Sequence, residues 1–149
     1  MTSLRLAGSV LICMACVIFC TDRRRRLRDH IDALDTVCRF IAHTRREIEY
    51  YSAPFPQIID SFDDPHFTAD SVSSVPESLP LDPDERAELA KFLDSVGRGY
   101  PDAEIRLCTA SLEVMTDHLE RAKADFPRRA KTETSLALLV GASAAILII

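Results

Sequence analysis

Residues 23–59 read RRRRLRDHIDALDTVCRFIAHTRREIEYYSAPFPQII, and this stretch decides the fold. Counted from Leu27, the positions Leu27, Ile31, Leu34, Cys38, Ile41, Arg45 and Ile48 recur at alternating steps of four and three. All but Arg45 are apolar, which is the a/d stripe of an α-helix over about three heptads. Neither glycine nor proline interrupts Asp22 to Tyr51, so no local element breaks the helix. Ser52-Ala-Pro-Phe-Pro then stops it, because Pro54 and Pro56 bring no N–H to the ladder. Pro56 suits the first turn of a short second helix, with Phe55, Ile58, Ile59 and Phe62 as its buried stripe. The expected product is an antiparallel helical hairpin with a tight corner.

Beyond the corner, residues 63–81 (DDPHFTADSVSSVPESLPL) are rich in Ser, Asp and Pro and hold no sustained period, so they read as an acidic linker. A third helix has a clear start. Asp82 is its N-cap, Pro83 occupies the first turn and Glu85 completes a capping box. Leu89, Phe92, Leu93 and Val96 form its stripe, and Gly97 and Gly99 end it. After Tyr100-Pro101, a long fourth helix shows Ile105, Cys108, Leu112, Met115, Leu119, Ala122 and Phe126, again in threes and fours, with a kink expected at Pro127. Two long striped helices and two short ones make an all-α, small antiparallel bundle.

Both ends of the chain are apolar. Leu6 to Cys20 carries no charge and, with flanks from Ser3 to Thr21, spans roughly 28 Å as a helix. That length matches a hydrocarbon core of about 30 Å, and RRRRLR follows at once, as expected of a cytoplasmic flank. A cleaved signal is the competing reading, but no small-x-small site follows the run. Residues 135–149 are also free of charge, and Arg128, Arg129 and Lys131 precede them. The expected layout is an N-terminal transmembrane anchor over 1–21, a cytoplasmic bundle over 22–134 with the linker at 63–81, and a C-terminal transmembrane helix over 135–149.

Composition narrows the function. Against 18 basic residues stand 23 acidic ones, so a surface for nucleic acid is not expected. The charge is uneven: Asp22 to Tyr51 holds eight arginines against six acids, whereas Ser52 to Glu104 holds twelve acids against Arg86, Lys91 and Arg98. No Ser-His-Asp set, HExxH motif, glycine-rich loop or CxxC pair outside the apolar ends is present, which disfavours an enzyme and a small-molecule substrate. Cys13, Cys16 and Cys20 share one helical face of the first apolar run and read as packing residues, with Cys38 and Cys108 on apolar stripes. His30, His43 and His118 sit beside the stripes with no partner legible in the sequence. His66 lies near Asp63, Asp64 and Asp70, a spacing unlike a calcium loop. No catalytic, cofactor or metal residue is therefore expected.

Two segments carry a family resemblance. EIEYYSAPFPQII, residues 47–59, and LDSVGRGYPDAEIRLCTASLEVMTDHLERAKADFPRRAKTETSLALLVG, residues 93–141, resemble stage III sporulation protein AB of endospore-forming bacteria. The layout is similar too: a short span, arginines, a helical region, a basic stretch and a last span. The chain departs from the family in its short middle and in Arg106, where a glutamine is expected. The resemblance implies a non-enzymatic part of a secretion-like channel between mother cell and forespore, in the bacterial cell membrane, with its central domain on the mother-cell cytoplasmic side. The soluble domain would be similar to the cytoplasmic helical domains of type II secretion and type IV pilus platform proteins. Implied partners are the other proteins of the channel operon, among them a secretion-type ATPase and polytopic membrane proteins. Candidate partner-binding residues are Arg45, Arg46, Glu47, Glu49 and Tyr50, whose simpler reading is surface ion pairs and a corner tyrosine. The alternative function is a generic coiled-coil, membrane-anchored regulator or scaffold of the envelope.

Overall fold

A computed structural model describes the backbone of residues 2–67 and 75–148, and their side chains except at 2–7, 9, 133, 134, 137, 138, 141 and 144–148. Four helices follow one another: α1 (Thr2–Tyr51), α2 (Phe55–Ser61), α3 (Pro83–Ser95) and α4 (Pro101–Ile148). No strand occurs among the described residues. The all-α expectation holds. Among the described residues, no helix is long and apolar enough to cross a membrane. The chain forms two compact units, one of Asp29–Arg121 and one of Met1–Arg28 with Ala122–Ile149.

In the unit Asp29–Arg121, α1 ends as its sequence dictates. Ser52 adopts a left-handed conformation (φ 48°) and its N–H donates to the Ile48 carbonyl at 3.2 Å, the αL cap of a helix C-terminus. Pro54 follows and cannot extend the helix. The Pro54 carbonyl then accepts from the amides of Gln57 (2.9 Å) and Ile58 (3.3 Å) to open α2. α2 folds back along α1: Ser61 Oγ lies 2.9 Å from His43 Nε2, and the Phe62 ring lies 5.3 Å from that of Phe40. Phe55, Ile58 and Ile59 are buried as expected, with Phe62 half-buried.

The buried stripe of α1 corrects the heptad register. Leu34, Val37, Ile41, Thr44 and Ile48 are buried, flanked by Ala33 and Phe40, while Leu27, Ile31, Cys38 and Arg45 are only half-buried. The true steps are three, four, three, four from Leu34. Thr44 can occupy an apolar stripe because its hydroxyl donates to the Phe40 carbonyl at 2.9 Å, so no polar atom is stranded. Phe40 is the centre of an aromatic cluster. Its ring stacks on Phe67 (4.1 Å between centroids, 12° between planes) and meets Phe62 and Phe55 edge-on.

The stretch 63–81, read as an acidic linker, is packed at both described ends. Phe67 and Leu79 are buried, at 3% and 1% exposure. The Arg86 guanidinium donates to the carbonyls of Leu79 (2.8 Å) and Pro76 (3.4 Å), and His66 Nδ1 lies 3.0 Å from Ser78 Oγ. Asp70 lies outside the described residues.

α3 keeps its expected bounds. Its capping box is formed, with Glu85 Oε2 accepting from the Asp82 N–H at 2.9 Å. Leu89, Phe92, Leu93 and Val96 are buried. Gly97 turns the chain with φ 83°, and a Cβ there would stand 3.2 Å from Phe55 Cβ, so the turn needs glycine both for its backbone and for the close approach. Glu104 reaches back to accept from the Gly99 amide at 2.9 Å at the start of α4. Cys108, Met115 and Leu119 are buried on α4, with Ile105 before them and Leu112 among them half-buried.

In the other unit, α4 continues past Pro127, where a kink was expected and where one ladder hydrogen bond is lost. The Arg28 guanidinium lies 6.0 Å from the centre of the Phe126 ring, within reach of a cation–π contact. Asp22 and Arg26 pair at 2.9 Å one turn apart. The apolar side chains of the first stretch are turned outward: Leu11, Val17, Ile18 and Phe19 are 65–70% exposed.

Candidate functional site

Glu85 is the one buried acid among the described residues, with a side chain 6% exposed. Its place follows from helical spacing, since Glu85, Leu89, Phe92 and Val96 fall at steps of four, three and four on one stripe. Burying a carboxylate without partners costs several kcal/mol, so its surroundings must answer for it. Oxygen Oε2 is held by the Asp82 amide. Oxygen Oε1 faces two histidines from two other helices: His30 Nε2 of α1 at 3.3 Å and His118 Nδ1 of α4 at 3.9 Å. The Asp82 carboxylate, exposed at the mouth of the cluster, has an oxygen within 4.8 Å of the ligand atoms of both His30 and Glu85.

The sequence left His30 and His118 without partners, and the structure corrects this by giving both the same one. Glu85 was legible only as a local cap. The missed signal was its position on the apolar stripe of α3, which requires it to point where Leu89 and Phe92 point. The result is two imidazoles and two carboxylates from three helices, partly buried and open to solvent at Asp82. Nitrogen and carboxylate donors grouped in this way can hold a cation.

The candidate partner-binding residues lie at the end of α1. Arg46, Glu49 and Tyr50 are exposed, and Arg45 and Glu47 are half-buried. Arg45 Nε stands 3.8 Å from Glu49 Oε2 and has no hydrogen-bond partner although its atom is buried. Arg46 reaches His43 Nδ1 at 3.3 Å. Burial holds His43 below its ordinary pKa of 6.5, with Glu47 opposing the shift and Arg46 adding to it. Tyr50 and the adjacent Tyr51 are 73% and 72% exposed, so neither ring is packed into the corner. Arg45 also lies near enough to Cys108 to favour its thiolate, but burial prevails and pushes that thiol up to about 11.

Of the cysteines in the first apolar run, Cys13 is exposed and Cys16 and Cys20 are half-buried, all as free thiols. His66 belongs to the packed loop through Ser78 and, by its amide, Asp64 Oδ1 (3.0 Å). Compared with known proteins, the chain matches no family model, no curated protein and no solved structure.

Proposed function

We propose that the chain is a membrane-anchored, non-enzymatic component of a protein assembly. Its two apolar ends enter the bilayer from one side, and residues 22–134 form the cytoplasmic bundle between them. Membrane anchoring rests on one observation, the outward-facing apolar side chains beside arginine-rich flanks. Val10, Leu11, Met14, Val17, Ile18 and Phe19 are each more than half exposed, as are Leu136, Leu139 and Val140. In water, apolar surface of that extent drives association; in hydrocarbon it is favourable, and the arginines set the side.

The resemblance to stage III sporulation protein AB makes the assembly a secretion-like channel between mother cell and forespore. Its partners would then be other proteins of the channel operon, including a secretion-type ATPase and polytopic membrane proteins. Arg46, Glu49 and Tyr50 supply the exposed part of the docking face, because a solvent-borne tyrosine beside charges of both signs is the composition of an interface centre with its rim.

Single cysteines at Asp60 and Glu77, both exposed, test the topology in a chain whose native cysteines are replaced by serine. A membrane-impermeant maleimide should leave them unlabelled in intact cells and label them after permeabilisation. Labelling of intact cells rejects the proposed sidedness. The gene neighbourhood separates the channel from the generic envelope scaffold: an adjoining secretion-type ATPase with several small membrane proteins supports the channel, and unrelated neighbours support the scaffold.

A further inference from the structure

The cluster around Glu85 has the composition and spacing of a metal site. We infer that His30 Nε2, Glu85 Oε1 and the Asp82 carboxylate bind one divalent transition-metal ion. Zinc bonded to nitrogen and oxygen at about 2.0–2.2 Å in a tetrahedron sets its ligand atoms about 3.4 Å apart. The His30–Glu85 separation is 3.3 Å, and the three ligand atoms lie within 4.8 Å of one another, so small side-chain adjustments close the set.

Three further features fit an ion at this point. Glu85 Oε2 is held by the Asp82 amide, which orients the carboxylate and leaves Oε1 for the metal, as a ligand's outer partner does. Asp82 is exposed, which gives the ion a way in and leaves the remaining coordination to water. The imidazole selects the class of ion, since nitrogen donors favour zinc and its neighbours over magnesium and calcium. His118 Nδ1, 3.9 Å from Oε1, approaches the same carboxylate from α4 and helps position it. An ion here would tie α1 to the start of α3.

Calorimetric titration of the full chain in detergent micelles with zinc chloride tests the inference. Because Cys13, Cys16 and Cys20 also offer zinc ligands, the reference protein is the full chain carrying C13S, C16S and C20S. One saturable site per chain is expected in that reference. His30→Ala should weaken it at least about ten-fold, and Glu85→Gln should do the same, whereas magnesium chloride should not compete. His30 is only half-buried, so His30→Ala keeps the helical circular dichroism of the reference and decides the matter if Glu85→Gln does not fold. Absence of a saturable zinc site in the reference, or an unchanged affinity in His30→Ala, overturns the inference and leaves the cluster a buried ion-pair network.

Discussion

Phe67→Ala asks whether the loop after α2 is part of the core. Phe67 is 3% exposed and its ring lies 4.1 Å from Phe40, nearly parallel, with Phe62 edge-on at 5.7 Å. Removing a buried phenylalanine down to alanine costs about 3–5 kcal/mol, of which each aromatic pair supplies about 0.5–1.5 kcal/mol beyond its area. The lower figure, about 3 kcal/mol, is the smallest loss expected for a phenylalanine as buried as this one. For a unit of this size that is a fall in Tm of at least about 12 °C. Urea or thermal unfolding of the full chain, followed by circular dichroism at a helical wavelength, measures it. A change below about 0.5 kcal/mol, the value for an ordinary surface position, would refute the packing of this loop.

Gly97→Ala should destabilise by about 1–2 kcal/mol, since alanine meets both a left-handed backbone and Phe55 Cβ at 3.2 Å; an unchanged Tm would show that the turn relaxes freely. Val37→Asp should abolish the unfolding transition because it buries an unpaired charge, whereas Cys38→Asp, on the half-buried edge, should leave a folded protein. Greater damage from Cys38→Asp than from Val37→Asp would restore the register counted from Leu27. At pH 8 Cys108 should react with a thiol reagent far more slowly in the folded protein than in the same protein unfolded in urea, because a thiol pushed to about 11 keeps only about one part in a thousand as thiolate. Its folded form holds the proton more tightly than the unfolded one, whose value is 9.0, so the stability it contributes is complete below that pH and fades as pH rises toward about 11. Peptide mapping after labelling at pH 8, and unfolding midpoints across pH 8–11, read the two effects.

Most of the helical layout could be read from residue order, because its determinants are local. Proline and the Ser52 cap end α1, Asp82 with Glu85 starts α3, and Gly97 ends the turn after it. What escaped depends on contacts between distant segments. Counting from Leu27 placed Cys38 and Arg45 on the buried stripe, whereas Thr44 belongs there once its hydroxyl bonds its own helix. Composition made 63–81 a linker, yet two isolated apolar residues, Phe67 and Leu79, are what the core takes from it. The meeting of His30, Glu85 and His118 joins residues 55 and 33 positions apart, as the numbering gives, and no local pattern encodes it. The candidate partner-binding residues Arg45, Arg46, Glu47, Glu49 and Tyr50 were named through resemblance, and to that the structure adds the exposure of Arg46, Glu49 and Tyr50 alone.

The aromatic cluster around Phe40 bears on how the chain acquires its structure. Phe40, Phe55, Phe62 and Phe67 all belong to one short run of chain, and three of them lie on a hairpin that α1 and α2 make alone. The entropy of closing a loop grows only with the logarithm of its length, so these rings can meet at little cost, ahead of contacts that wait for α4. As the chain leaves the ribosome, a sticky hydrophobic nucleus can thus be sealed around Phe40 before the second half exists. The later helices then dock onto an ordered template, and the first helix spends less of its synthesis with an unprotected apolar face.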